Sequence, residues 1–241
     1  MKEKIVLISF YILCVVIFVL LIIGGYFLYD TLFVYYPAED IAKEYLVSTD
    51  DVKVEYIDDY YFFDGPGEDN AIVFYPGAKV EFTAYAPLMY KLAEKGIDTF
   101  LVKMPYNFAF FNANAANKII KNNNYNNWYI SGHSLGGVVI SSQKYDNIKG
   151  IIFLASYPNK KIPDNIKALC ITGDQDGVIN LDKYNKNGEK YWNNNTKGVF
   201  IEGGNHANFA YYGKQKGDMV ATIAKEEQID TTIELIMDFI G

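Results

Sequence analysis

The sequence predicts an α/β protein with a largely parallel sheet, preceded by one membrane-spanning helix. Two observations lead to this prediction. Short apolar runs alternate with segments of helical periodicity after residue 50, and the first thirty residues are almost entirely apolar. The remaining stretch of about 200 residues fits one domain with a full hydrophobic core. We therefore divide the chain into residues 1–34, an anchor with a short linker, and residues 35–241, a single α/β domain.

The N-terminal segment has the length and composition of a membrane span. Residues 5–28 form an uncharged run, and a helix of that length reaches about 36 Å, enough to cross a hydrocarbon core of about 30 Å. The run lacks a small-x-small cleavage site, so we favour an uncleaved signal anchor over a removed signal peptide. Lys2 and Lys4 before it, and Asp30 and Glu39 after it, predict a single-pass protein of the cell membrane. Its N-terminus would be cytoplasmic and its domain extracellular.

Eight short segments have the apolar character of strands, and four regions have helical character. The strands are predicted at residues 52–56, 60–63, 71–75, 99–102, 128–131, 148–155, 166–172 and 198–202. Helices are predicted at 82–92, within 110–121, at 135–144 and at 229–240. Strands that alternate with helices imply a mainly parallel sheet covered on both faces, with ligands at the carboxyl ends of the strands.

Composition excludes several classes of function. The chain has a net charge of −7 and contains no arginine, so it lacks the basic surface that nucleic-acid binding requires. Cys14, Cys170 and two histidines do not form a zinc-binding pattern, so no metal is expected. Neither a dinucleotide fingerprint nor a phosphate-binding loop occurs, and no cofactor is expected.

The segment Gly132-His133-Ser134-Leu135-Gly136-Gly137 carries the strongest signal for chemistry. It matches G-x-S-x-G, follows a predicted strand and opens a predicted helix. Gly132 and Gly136 would allow a tight turn that holds the serine hydroxyl exposed, because side chains at these positions would clash. The context predicts that Ser134 is a nucleophile.

A serine nucleophile needs a base, and the base needs an orienting acid. His133 is the neighbour of Ser134 on the turn and should point elsewhere, so His206, in the loop after the last strand, is the predicted base. Asp174 and Asp176 both follow the strand at 166–172. We prefer Asp176, which lies deeper in the loop, whereas Asp174 also suits a turn-forming role.

Backbone amides should hold the oxyanion. One is predicted to be that of Leu135, directly after the nucleophile. The second would come from the loop Pro76-Gly77-Ala78-Lys79, as the amide of Ala78 or Lys79. The alternative interpretation is that Pro76-Gly77 is only a turn.

These segments resemble the three signature segments of the α/β-hydrolase superfamily, in particular a compact bacterial branch. The resemblance covers about residues 52–241. It implies an eight-stranded, mostly parallel sheet with a catalytic triad of Ser134, Asp176 and His206. Pro76-Gly77 stands where many lipases and esterases have His-Gly, so the resemblance does not imply that this chain shares the substrate preference of lipases. Because the predicted strands ending at 155 and starting at 166 lie so close in sequence, the domain at 35–241 should lack a large cap.

The leading hypothesis is a membrane-anchored serine hydrolase that cleaves an ester-type bond through an acyl-enzyme. Its partner would be a small-molecule or lipid-like acyl substrate, and the aromatic residues Tyr106, Phe108, Phe110 and Phe111 could line an acyl or aromatic pocket or simply pack the core. Two alternatives remain open. One is an acyltransferase that uses the same triad, and the other is an inactive fold that serves as a binding protein at the cell surface.

Overall fold

The computed structural model describes residues 2–241, which form two compact units divided after Tyr35. The first unit contains helix α1, Lys2–Phe33. Its stretch Val6–Phe33 is long and apolar enough to cross a membrane, and its large apolar side chains are exposed. The predicted apolar helix is therefore confirmed, although it extends beyond residues 5–28. The predicted membrane orientation depends on Lys2 and Lys4, and the side chain of Lys2 is not among those that the structure describes.

The second unit, Tyr36–Gly241, is built on one sheet of eight strands. The strands are β1 Lys53–Ile57, β2 Tyr60–Asp64, β3 Asn70–Tyr75, β4 Ile97–Val102, β5 Asn127–His133, β6 Ile148–Leu154, β7 Lys167–Gly173 and β8 Thr196–Ile201. Their order is β1-β2-β4-β3-β5-β6-β7-β8. Strands β1 and β2 pair antiparallel with each other and with β4, and the other pairings are parallel. The predicted α/β fold with a mostly parallel eight-stranded sheet is confirmed.

Helices cover both faces of this sheet. They are α2 Asp40–Glu44, α3 Ala86–Glu94, α4 Ala115–Asn122, α5 Leu135–Ser141, α6 Leu181–Tyr191 and α7 Lys225–Ile240. Alternate residues of β3 enter two separate cores, because successive side chains of a strand point to opposite faces. Ile72 and Phe74 pack with α3 and α7, whereas Val73 and Tyr75 pack with α4 and α5.

Two helices were not predicted. Helix α6 is mostly polar and buries only Tyr184, so its sequence has too few apolar residues to indicate a helix. Helix α2 has only five residues. Helix α5 ends at Ser141, earlier than the predicted residue 144. The Ser141 and Ser142 hydroxyls both donate to the Val138 carbonyl, a competition that is unfavourable within helices.

The six parallel strands bring the segments that follow them to one edge of the sheet. Strands β3 to β8 run in the same direction, so the segments that follow Tyr75, Val102, His133, Leu154, Gly173 and Ile201 leave the sheet at the same edge. The connection between β6 and β7, residues 155–166, contains no helix. This edge carries the residues described next.

Candidate active site

Ser134 occupies a strained turn between β5 and α5. Its backbone has φ 51° and ψ −121°, a conformation that side-chain-bearing residues rarely adopt and that is often found at functional sites. The Ser134 amide donates to the Leu154 carbonyl at 2.9 Å, and the Ser156 hydroxyl donates to the Ser134 carbonyl at 2.7 Å. The turn is therefore fixed to the end of β6 on both sides of its strained residue.

Two glycines make this turn possible by their lack of a side chain. A Cβ atom on Gly132 would lie 2.7 Å from the carbonyl carbon of Gly136, and a Cβ on Gly136 would lie 2.2 Å from the Tyr75 carbonyl oxygen. Both distances are shorter than van der Waals contact. The packing around the turn therefore leaves no room for a side chain at either position, as the sequence predicted.

His206 and Asp176 form a buried pair. Nδ1 of His206 lies 2.8 Å from Oδ2 of Asp176, and both side chains are at most 2% exposed. The second carboxylate oxygen accepts from the amides of Val178 at 2.9 Å and Ile179 at 2.8 Å. These bonds fix the carboxylate so that its free oxygen receives the imidazole.

The remaining nitrogen of the His206 ring is available for chemistry. A carboxylate accepts a hydrogen bond, so Nδ1 carries a proton, and in the neutral tautomer Nε2 holds a lone pair. Nε2 is buried and has no hydrogen-bond partner among residues 2–241. A buried polar atom without a partner is uncommon and costs stability, and a catalytic role is one explanation for such an atom. A histidine held in this way can act as a base that an acid orients.

Asp174, the competing aspartate, has a different environment. Its carboxylate accepts from the Gly203 amide at 2.8 Å and from the side chain of its neighbour Gln175 at 3.2 Å. It therefore holds the loop after β8 against the loop after β7, and its side chain is exposed. This contact fits the turn-forming role that the sequence offered for Asp174.

His133 is completely buried behind the nucleophile. Its Nδ1 lies 2.8 Å from the Tyr85 hydroxyl, and its Nε2 lies 3.1 Å from the His206 carbonyl oxygen. Burial, and secondly the proximity of His206, hold the pKa of His133 well below its ordinary value of 6.5. Since both ring nitrogens are engaged, His133 cannot serve as the base for Ser134.

The backbone amides expected at an oxyanion site differ in their availability. Leu135 is the first residue of α5, where an amide has no partner within the helix. The Lys79 amide donates to the Asn107 carbonyl at 2.9 Å, and Lys79 has a positive φ of 59°. The Lys79 amide is thus already used. Of the two amides that the sequence left open in this loop, Ala78 is the better candidate.

Asp218, a residue that was not predicted, holds the loops of Asp176 and His206 together. Its carboxylate accepts from the amides of Gly177 at 3.1 Å, His206 at 3.3 Å and Ala207 at 2.9 Å. No motif marks this residue, because its partners are backbone groups that only the folded chain brings near.

Gln228, on α7, was missed as well. It is fully buried, its Oε1 accepts from the Asn205 amide at 2.9 Å, and its Nε2 donates to the Asn205 carbonyl at 2.8 Å. A glutamine on the buried face of an amphipathic helix is the one signal that could have pointed to it, since buried polar side chains need partners. Gln228 thereby ties the segment before His206 to the last helix.

An aromatic cluster lies in the loop after β4. It consists of Tyr106, Phe108, Phe110 and Phe111, whose rings contact one another. Phe108 is buried, whereas the other three are about half exposed. The backbone of Tyr106 has a positive φ, and the neighbouring Asn107 carbonyl accepts from Lys79. The cluster is therefore joined to the loop that carries Ala78.

The family comparison agrees with this architecture. A model of the alpha/beta hydrolase family matches residues 71–230. The match covers most of the chain and includes Ser134, Asp176 and His206. The chain belongs to the alpha/beta hydrolase family. No curated protein matches the chain.

Solved structures with similar folds include several esterases. Est1E from Butyrivibrio proteoclasticus has 17% sequence identity and a TM-score of 0.54, with 79% of this chain and 99% of that chain covered. An esterase of Pyrobaculum calidifontis has 13% identity and a TM-score of 0.55, over 81% and 88% of the two chains. An esterase/lipase from an uncultured bacterium has 12% identity and a TM-score of 0.56, over 83% and 88%. At these identities the likeness supports the shared fold.

Proposed function

We propose that this protein is a serine hydrolase that cleaves an ester-type bond through an acyl-enzyme on Ser134, with His206 as general base and acid and Asp176 as the orienting residue. One observation carries the proposal. A buried His206–Asp176 pair, whose Nε2 has no partner among residues 2–241, lies at the same sheet edge as a serine in a strained turn. Family membership supports hydrolase chemistry in general.

The first half of the reaction forms the acyl-enzyme. The Ser134 hydroxyl oxygen attacks the carbonyl carbon of the substrate while Nε2 of His206 takes the hydroxyl proton. Asp176 stabilises the imidazolium that results and holds its tautomer. The tetrahedral intermediate then collapses, and the departing alcohol takes the proton from His206.

The second half releases the product. A water molecule attacks the acyl-enzyme with His206 again as base, and the acid leaves as Ser134 recovers its proton. In both halves the developing oxyanion would accept hydrogen bonds from the amides of Leu135 and Ala78. Donors that are fixed in advance stabilise that charge at no cost of reorganisation.

The substrate class follows from the surroundings of the site. The half-exposed rings of Tyr106, Phe110 and Phe111, beside the Ala78 loop, would receive the apolar part of a small-molecule or lipid-like acyl substrate. Helix α1 would anchor the protein in the cell membrane as a single span. The lysines before this span favour a cytoplasmic N-terminus and an extracellular catalytic domain. Protease treatment of intact cells that failed to digest the domain would contradict this orientation.

Turnover of a series of p-nitrophenyl esters by the full-length protein in detergent tests the proposal. Ser134→Ala should lower kcat by about 10⁶-fold. Ser131→Ala is the matched control. Its hydroxyl is buried on β5, three residues before Ser134, and has no hydrogen-bond partner among residues 2–241, so its removal should leave turnover unchanged. Equal turnover in wild type and Ser134→Ala would refute the proposal.

The same assay separates hydrolysis from acyl transfer. Addition of a competing alcohol should leave the free acid as the main product if water is the natural acceptor. Predominant formation of the new ester, with faster release of p-nitrophenol, would instead favour the acyltransferase alternative. A folded wild-type protein without turnover of any ester in the series would favour the inactive binding protein.

A further inference from the structure

Tyr85 and His133 connect three loops of the site through buried hydrogen bonds. Tyr85 ends a short 3-10 turn before α3, and its side chain is fully buried. The Gly77 amide donates to the Tyr85 hydroxyl at 3.0 Å, and this hydroxyl lies 2.8 Å from Nδ1 of His133. On the other side of the imidazole ring, Nε2 lies 3.1 Å from the His206 carbonyl oxygen.

The direction of each bond in this chain is determined by chemistry. A carbonyl oxygen can only accept, so Nε2 of His133 carries the proton and donates to His206. Nδ1 is then the acceptor and receives the hydroxyl proton of Tyr85, while the Tyr85 oxygen accepts from Gly77. The depressed pKa of His133 keeps its ring neutral, which this pattern requires. One continuous chain of donors and acceptors therefore runs from Gly77 to His206.

The ends of this chain are parts of the proposed catalytic machinery. Gly77 precedes Ala78, the candidate oxyanion donor, and His133 precedes Ser134. The packing is close, because a Cβ atom on Gly77 would lie 2.8 Å from Nδ1 of His133. A shift of the Tyr85 hydroxyl would therefore move the Ala78 loop relative to the nucleophile and the base.

We infer that Tyr85 and His133 are positioning residues that fix the oxyanion loop, the nucleophile turn and the base loop relative to one another. This inference rests on the proposed function. Neither side chain needs to touch the substrate, and both act through the backbone of Gly77 and His206. Their effect should appear in the transition state, where oxyanion donors and the base must be aligned, more than in substrate binding.

Tyr85→Phe is the direct perturbation. It removes one hydroxyl and leaves the Gly77 amide and Nδ1 of His133 buried without partners, so the loop should shift. We expect kcat and the rate of reaction with a fluorophosphonate to fall about 10- to 100-fold. KM should change less than about threefold, because the groups that move act on the transition state.

Tyr75→Phe is a closely matched control. Tyr75 is also fully buried, its hydroxyl donates to the Ala113 carbonyl at 2.9 Å, and it accepts from the Ala116 amide at 2.8 Å. Its side chain lies in the core on the opposite face of the sheet from Tyr85. Both variants lose two hydrogen bonds of a buried tyrosine hydroxyl and should lose similar thermal stability, but only Tyr85→Phe should lose reactivity.

A second pair of variants covers the case in which Tyr85→Phe does not fold. The amide of His133→Gln can still donate to the His206 carbonyl and accept from Tyr85, whereas His133→Leu can do neither. If the bonds position the site, the glutamine variant retains at least about tenfold more reactivity than the leucine variant. Equal reactivity of these two folded variants would count against the inference.

The experiment measures fluorophosphonate reaction rates and the ¹⁵N signals of labelled histidine in the full-length protein in detergent. Only two histidines are present, so the ring signals are few. We expect the His206 ring signals to shift in Tyr85→Phe and to stay in place in Tyr75→Phe. If wild type reacts, but Tyr85→Phe reacts within twofold of it and keeps the His206 signals, the inference is overturned while the proposed function stands. A folded wild type that does not react overturns both.

Discussion

Replacement of Asp218 tests how much one carboxylate contributes to the assembly of the site. Asp218→Ala removes a carboxylate that accepts hydrogen bonds from the amides of Gly177 and Ala207. Gly177 follows Asp176 in the sequence, and Ala207 follows His206. These two bonds join different segments of the chain. The bond from the His206 amide is long at 3.3 Å, and the bond from the adjacent Met219 amide is local, so both add little.

The expected magnitude follows from the two bonds between segments. Each should contribute about 1–1.5 kcal/mol, which gives about 2–3 kcal/mol for the pair. Gly177 is exposed, so water can replace the carboxylate there, and the lower end of this range applies. A loss of about 2 kcal/mol lowers the unfolding temperature of a domain of this size by about 4–8 °C. Loosening of the His206–Asp176 pair should slow reaction with a fluorophosphonate about tenfold or more.

Thermal unfolding and fluorophosphonate reaction rates of the full-length protein in detergent provide the assay. Asp182→Ala is the control, because it removes the same charge from an exposed position in the first turn of α6. That change should cost less than about 1 kcal/mol and should leave the reaction rate unchanged. The reasoning fails if Asp218→Ala matches Asp182→Ala in both measurements.

Three further changes should have measurable effects. Gly136→Ala places a methyl group 2.2 Å from the Tyr75 carbonyl oxygen, so we expect at least about 3 kcal/mol of destabilisation, or failure to fold, in urea unfolding. Gln228→Leu leaves the amide and carbonyl of Asn205 buried without their partner and should cost about 2–4 kcal/mol in the same measurement. Because the pKa of His133 is held well below 6.5 in the fold, the unfolded state binds more protons as the pH falls below 6.5. Stability should therefore decrease from pH 7.5 to 5.5 with a slope of up to about 1.4 kcal/mol per pH unit from this group, and His133→Gln should remove that part of the slope.

The fold was largely predictable because its strands are short apolar runs separated by clear turns. Each predicted strand overlaps an observed one. The buried parallel strands at the centre of the sheet are apolar on both faces, so they stand out most clearly against polar loops. Helix α6 escaped prediction because it is mostly polar and buries just one side chain, that of Tyr184. The end of α5 was misplaced because the hydroxyls of Ser141 and Ser142 compete with the helical hydrogen bonds.

The candidate site was predictable only where local chemistry marks it. Gly132 and Gly136 identify the turn around Ser134, because both lie within two residues of Ser134 in the sequence and a side chain at either position would clash. Asp218 and Gln228 act on backbone groups that are remote in sequence, so no local pattern could reveal them. The sequence also left Ala78 and Lys79 equivalent, because the bond from the Lys79 amide to Asn107 depends on how two loops meet.

The most direct test of the proposed function is to identify the residue that a fluorophosphonate modifies. Full-length protein in detergent would be labelled, and the modified residue located by mass spectrometry of peptides. The account predicts one adduct, on Ser134, that is lost in Ser134→Ala and in His206→Ala and is much weaker in Asp176→Asn. A folded wild-type protein without an adduct, or an adduct on Ser134 that persists undiminished in His206→Ala, would contradict it.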